Sequence, residues 1–209
     1  MGYMKCDALI PVKSLSTAKS RLAASLSQHQ REKLVLDMFH HVLDVLLASE
    51  LFEKVSVVSS DLHVLENAFL WGAQGILEEH HGHNQALHDA AQKELLEGAT
   101  GLLTISADLP LLTTREIRCF YRQSLQNDVV LAPSRDGTGT NAIVVHPPLA
   151  VPYVFGPGSL QRFIDAAKQK HLHYSKFHSL GLALDIDTID DLDEAAILDN
   201  NRKEMIYGC

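Results

Sequence analysis

Three segments of this sequence carry side chains suited to chemistry on phosphates. Asp108 closes the apolar run Leu102-Leu103-Thr104-Ile105-Ser106-Ala107 and is followed by Leu109-Pro110. In open α/β sheets ligands collect beyond the carboxyl ends of the strands, where a carboxylate can hold a cation beside a substrate phosphate. By position alone Asp108 could equally be a turn residue. Asp185 and Asp187 flank Ile186, and alternation along an extended segment puts both carboxylates on one face. Like charges that close need solvent or a metal ion, unless one of them caps the helix that follows. Lys13, Lys19 and Arg21 fall within one early loop that also holds Ser14, Ser16, Thr17 and Ser20. Transfer of a phosphoryl or nucleotidyl group needs neutralised phosphates and stabilised leaving-group charge, which these cations could supply.

Two glycine-bearing stretches are further candidates. Gly137-Thr138-Gly139-Thr140-Asn141-Ala142 matches G-x-G-x-x-A, but the β-rich Ile143-Val144-Val145 follows where a dinucleotide site requires a helix. A Rossmann site is therefore excluded, and a hairpin loop offering N–H groups to an anion stays open. Phe155-Gly156-Pro157-Gly158-Ser159 leads into a helical segment whose N-terminus could hold an anion or could be an ordinary loop with Ser159 as N-cap. His80, His81 and His83 lack the i, i+4 spacing of a helical metal motif and read as loop residues.

The elements that must position these groups alternate along the chain. Strands are expected at 6–12, 55–59, 73–77, 102–108, 129–132, 142–145, 174–177 and 182–186. Helices are expected from the capping pattern at Ser27 through the apolar rows Leu34, Met38, Val42, Val45 and Val35, Phe39, Leu43, Leu46, then over 61–70, 83–97, 113–126 and 159–170, with a last helix capped by Thr188. This order predicts an α/β fold with a mostly parallel central sheet and helices on both faces. The strands at 129–132 and 142–145 are joined by a loop, so an antiparallel hairpin, an edge addition or a small protruding lobe belongs there. No internal repeat or low-complexity linker interrupts the sequence, and 1–209 reads as one domain.

Bulk properties narrow the function classes. A net charge of −8 disfavours nucleic acid and anionic membranes, so a local basic loop suggests a small anionic ligand. Hydrophobic residues make up 46% and charged residues 21%, which rules against disorder. Cys6, Cys119 and Cys209 form no metal-binding or disulfide pattern and read as reduced thiols. No long apolar run or charged leader is present and Met1-Gly2-Tyr3-Met4 does not open a myristoylation motif, which places the protein in the cytoplasm.

Five blocks in order carry a family resemblance: Ile10-Pro11-Val12-Lys13 with Ala18-Lys19-Ser20-Arg21-Leu22; Ser106-Ala107-Asp108-Leu109-Pro110-Leu111; Asp136 to Ala142; Phe155 to Ser159; and Asp185-Ile186-Asp187-Thr188. Over nearly its whole length the chain resembles the 2-phospho-L-lactate guanylyltransferases of deazaflavin coenzyme biosynthesis, within the glycosyltransferase-A-like (nucleotide-diphospho-sugar transferase-like) nucleotidyltransferases. The resemblance implies that GMP passes from GTP to the phosphate of a small phosphorylated acid, 2-phospholactate, phosphoenolpyruvate or 3-phosphoglycerate. It implies Lys13, Lys19 and Arg21 on the triphosphate, Mg²⁺ on Asp108 and Asp187, and Asn84 near the nucleotide. It also implies Asn141, Gly156 and Ser159 around the acid, and a homodimer. Molybdopterin and sugar-phosphate nucleotidyltransferases usually open with a Gly-rich loop where this chain has Lys13-Ser14-Leu15-Ser16-Thr17. A non-catalytic nucleotide-binding protein is the other alternative.

Overall fold

A computed structural model describes residues 6–79 and 82–207, with the backbone alone over 200–207. The readings made for Met1 to Met4, His80, His81 and Cys209 lie outside the described residues.

The first half follows the alternation seen in the sequence. Strand β1 (Cys6–Pro11) leads through the basic loop and a 3₁₀ turn (Ser20–Leu22) to α1 (Gln28–Ser49). The Ser27 side chain accepts from Gln30 N–H while the Gln30 side chain accepts from Ser27 N–H, so the expected capping box forms. Then come β2 (Val55–Ser59), α2 (Leu62–Leu70) with Asp61 as N-cap, β3 (Gln74–Leu77), α3 (His83–Leu96) and β4 (Gly101–Ile105). Strand β4 stops three residues before Asp108, which therefore stands in the exit loop and not at the last strand position. Helix α4 (Thr114–Ser124) starts from a second capping box, made by Thr113 and Glu116.

In the second half β5 (Val129–Pro133) and β6 (Thr140–Val145) form the antiparallel pair, followed by α5 (Ser159–Gln169), β7 (Tyr174–Lys176), α6 (Leu180–Ala183) and α7 (Ile189–Tyr207). Three expectations need correction. The hairpin is no edge addition, because β6 also pairs with β4 and lies inside the sheet. Segment 182–186 is not a strand. Leu182 belongs to the short α6 and packs into the main core, while Leu184 and Ile186 pack against Met38, Leu111 and Ala195. Their alternation reflects burial of a loop, which a period of two cannot distinguish from a strand face. Ser159 does not cap α5, because Gly158 holds the N-cap position at φ 69° and the Ser159 hydroxyl turns inward to Thr140.

The seven strands run in the order β3-β2-β1-β4-β6-β5-β7, and every pairing is parallel except those of β6. Helices α1, α2 and α4 bury Phe39, Leu43, Val64, Ile117 and Phe120 against one face. Helix α3 covers the other face over β1 and β2 with Ala86, Ala90 and Ala91, and α5 covers it over β5 and β6 with Leu160, Phe163 and Ile164. The architecture is the mostly parallel, doubly covered α/β sheet that the element order implied. Cys6 is buried and Cys119 exposed, both as free thiols. Among the described residues no helix is long and apolar enough to cross a membrane.

Candidate active site at the β1–β4 crevice

Strand β1 leads outward to β2 on one side, and on the other its neighbour is β4. The crevice between β1 and β4 is thus a switch point of the sheet, where the loops beyond the strands part. Because β6 runs against the others, the turn between β5 and β6 opens at this same edge. The basic loop, the Asp108 loop, the Gly-rich turn and the segment around Asp185 to Asp187 therefore meet. They line a cleft of about 830 Å³ with an adjoining cavity of about 220 Å³ between β1 and β4. That size suits a small-molecule site.

Asp108, Asp185 and Asp187 offer one carboxylate oxygen each within 4.8 Å of one another. The backbone fixes this meeting, since Ile186 N–H donates to the Asp108 carbonyl at 3.2 Å and Ser106 N–H to the Asn141 carbonyl at 2.8 Å. Lys19 Nζ donates to Asp108 Oδ2 and, at 3.1 Å, to Asp187 Oδ1. Arg21 reaches Asp187 Oδ2 at 3.2 Å. Lys19 takes a left-handed backbone conformation, φ 52°, at the start of the 3₁₀ turn, a modest strain of the kind found at ligand sites. Burial pulls the Lys19 pKa down, but Asp108 and then Asp187 outweigh it and hold the ammonium above its ordinary range. Burial, then Asp108, pushes the Asp185 carboxyl up, with Asp187 adding to the rise against the bond from Asn141.

This donor set fits a divalent cation. Three carboxylates against Lys19 and Arg21 leave one net negative charge for a cation to neutralise. Asp108 Oδ1 is buried with no hydrogen-bond donor among the described residues. An all-oxygen set of this kind suits hard cations. Asp185, absent from the ligand pair expected above, joins Asp108 and Asp187 here; its spacing from Asp187 was the signal for it.

The other candidates are arranged around this centre. Lys13 and Arg21 line the cleft, as do Asn141, Gly156 and Ser159. Asn141 directs its amide nitrogen at Asp185 Oδ1 (3.0 Å) and at the carbonyls of Leu182 and Ala183, both 3.1 Å, so it orients the metal-facing segment. Gly156 stands at φ 117°, which admits little else. The Gly-rich turn is built by Asp136, which accepts from Ser134 Oγ, Thr138 N–H and Thr138 Oγ1 and is held well below the usual carboxylate range by those bonds. Asn84 sits one layer back. Its Nδ2 donates to the Phe155 carbonyl at 3.1 Å and its Oδ1 accepts Phe155 N–H at 2.8 Å. The loop hydroxyls mostly build the loop: Ser14 and Leu15 N–H bond Asp61, and Thr17 bonds the Ser14 carbonyl.

Known proteins resemble this chain in fold and in sequence. Among solved structures the chain resembles a Desulfovibrio desulfuricans G20 protein described as a nucleotide-diphospho-sugar transferase, with TM-score 0.77, 16% identity and coverage of 91% of this chain and 85% of that one. A CMP:2-keto-3-deoxy-manno-octonic acid synthetase complexed with CTP gives TM-score 0.62 at 15% identity over 95% and 99%. These likenesses concern the fold. Sequence relatives include the phosphoenolpyruvate guanylyltransferase of Sphaerobacter thermophilus, 41% identical over 92% of this chain and 93% of that one. The 2-phospho-L-lactate guanylyltransferase of Methanobrevibacter smithii is 31% identical over 95% and 87%, and the 3-phospho-D-glycerate guanylyltransferase of Colwellia psychrerythraea 32% over 93% of each. The family model described as guanylyl transferase CofC like matches residues 6–207, and the chain belongs to that family of nucleotidyltransferases.

Proposed function

We propose that this protein transfers GMP from GTP to the phosphate of a small phosphorylated carboxylic acid, in deazaflavin coenzyme biosynthesis. The observation that carries the reading is the meeting of Asp108, Asp185 and Asp187 with Lys19 at the switch-point crevice. Phosphoenolpyruvate is the first candidate acid, since relatives of that name reach 37–41% identity. The relatives named for 2-phospholactate and 3-phosphoglycerate stand at 31% and 32%.

In the reaction a phosphate oxygen of the acid attacks the α-phosphorus of GTP. A phosphoanhydride bond forms, the bond from the α-phosphorus to the β-bridging oxygen breaks, and pyrophosphate leaves with that electron pair. The attacking phosphate is already ionised near neutral pH, so no side chain has to act as general base. Lys13, Lys19 and Arg21 neutralise the triphosphate and the charge that develops on pyrophosphate. Asp108 and Asp187, with Asp185 beside them, would hold Mg²⁺. When bound, that ion supplies a Lewis acid and a template for the phosphates. Asn141, Gly156 and Ser159 surround the acid. We further infer a single catalytic domain over 1–209, a homodimer, and a cytoplasmic location. The placement of the seven strands of the described residues in one sheet supports the first of these.

The test is pyrophosphate release with each NTP against phosphoenolpyruvate, 2-phospholactate and 3-phosphoglycerate, with Mg²⁺ present or chelated. Release with GTP and one acid, lost on chelation, is expected. No release from any pair sinks the reading.

A further inference from the structure

Past the ends of β1 and β2, on the face covered by α3, the crevice continues into a slot. Pro11, Val12, Val58, Ala86 and Leu87 form its walls. Lys13 and His83 stand where it joins the cavity that contains Asp108 and Asp187. Its volume is about 150 Å³, comparable with an apolar cavity that accepts one aromatic ring. One flat ring can therefore enter with its faces against aliphatic side chains, while the second ring of a purine and its substituent extend back past Lys13 and His83 into the adjoining cavity.

Glu78 is the carboxylate on this slot among the described residues. Its direction follows from the sheet. Ile76 packs with Leu9, Val58, Ala86 and Ala90 on the α3 face, and the residue two positions on shares that face. Glu78 N–H donates to the Ser59 carbonyl at 3.0 Å, which carries the β2–β3 pairing one step past Ser59 and Leu77. Glu79, the next residue, does not line the slot; it lines an adjoining surface groove with Asp89 and Lys93, and Glu78 stands on the boundary between the two.

We propose that this slot receives the nucleobase of the donor and that Glu78 selects guanine. The inference rests on the guanylyl-transfer reading. The Watson–Crick edge of guanine places the N1–H and the 2-amino group side by side, two parallel donors that match the two oxygens of one carboxylate. Adenine offers an acceptor at N1 and no 2-amino group. Charge-assisted bidentate pairs are strong, and a site built to bond particular donors rejects analogues that lack them. The aliphatic walls bind any purine, so the discrimination falls to Glu78.

The experiment compares GTP, inosine triphosphate, xanthosine triphosphate and ATP as donors for the wild type, Glu78→Gln and Glu79→Gln, by pyrophosphate release. In the wild type, loss of the 2-amino group in inosine triphosphate should lower kcat/KM about tenfold or more, the scale of one lost charge-assisted bond. In Glu78→Gln the carboxamide oxygen still accepts N1–H, while its NH₂ donates to the 2-oxo group of xanthine. The variant should therefore fall at least tenfold with GTP, rise with xanthosine triphosphate, and no longer separate GTP from inosine triphosphate. Glu79→Gln should behave as wild type. Calorimetric titration of each nucleotide without acid reads the same preference if the variant turns over poorly. Wild-type turnover of GTP with an unchanged GTP-to-xanthosine preference in Glu78→Gln overturns the assignment. Absence of wild-type turnover with every donor defeats the guanylyl-transfer reading instead.

Discussion

The Lys19 ammonium bonds Asp108 across 89 residues of sequence and joins it to Asp187, another 79 positions on. One cation thus closes a site assembled from both halves of the chain, and it occupies oxygens that a divalent ion would also use. Lys19→Met leaves Asp108 and Asp187 facing each other without that counter-charge. Removing one partner from a fully buried pair costs about 3–5 kcal/mol. Here the carboxylates are 22% and 48% exposed, so solvent screens part of the loss and about 1–2 kcal/mol is expected. Urea unfolding of the metal-free variant should show that drop, and millimolar Mg²⁺ or Mn²⁺ should reverse most of it. A deficit indifferent to divalent ions would mean that the Lys19 contacts are packing alone.

Asp185 predicts an opposition between stability and activity. Its carboxyl is pushed up by burial, then by Asp108 and Asp187, so the ionised form weakens the metal-free fold. A raised folded-state pKa means that the penalty is present above it and is relieved as pH falls through it. Asp185→Asn removes the charge and keeps an oxygen for the Asn141 amide, now 3.0 Å away. Without metal the variant should melt a few degrees above the parent at pH 7, and the gap should shrink as pH falls into the carboxylate range. Turnover should drop at least tenfold because one of the three carboxylates proposed to hold the cation loses its charge. Calorimetry at two pH values, with chelator, checks the first part.

Much of this site was legible in the sequence because its parts are local. The Asp108 loop follows an apolar strand, the cations follow β1, and Asp185 and Asp187 are two residues apart. What fails to show is contact made by the fold. Asn84 and Phe155 meet only because α3 and the loop before α5 cover the same sheet face. The strand reading of 182–186 failed for the complementary reason. Leu182, Leu184 and Ile186 are buried by separate neighbours, a short helix packed on the core and a pocket closed by α1 and α7. The inward turn of Ser159 likewise depends on Thr140, which β6 brings from another part of the chain.

Gly181 tests how the metal-facing segment is held. Its N–H donates to Glu116 Oε1 at 2.8 Å, and an added Cβ would stand 2.5 Å from the Leu111 carbonyl as well as against the Glu116 carboxylate. Backbone and a capping-box side chain cannot both retreat. Gly181→Ala should cost about 1–3 kcal/mol by overpacking and shift α6, which leads directly to Asp185. Weaker Mn²⁺ affinity, read by titration together with a lower melting temperature, is expected. Lower stability with unchanged Mn²⁺ affinity would show that α6 does not set the carboxylate geometry.

Asn84 offers two roles that one pair of measurements separates. Its amide bonds both the N–H and the carbonyl of Phe155, which leaves little of it for a nucleotide. Phe155 packs edge-on against His83 at 5.7 Å and against Phe163 at 5.1 Å, so this bond ties the first turn of α3 to the start of α5. Gly156 and Ser159 follow immediately, on the side of the cleft assigned to the acid. Asn84→Ala unpairs two half-buried backbone groups at a cost of about 1–3 kcal/mol and lets that loop move. The KM for the acid should rise severalfold while kcat falls less, because the reacting groups themselves remain. GTP affinity, measured by calorimetry without acid, should change little. A fall in GTP affinity with the acid KM unchanged would instead return Asn84 to the nucleotide, where the family resemblance places it.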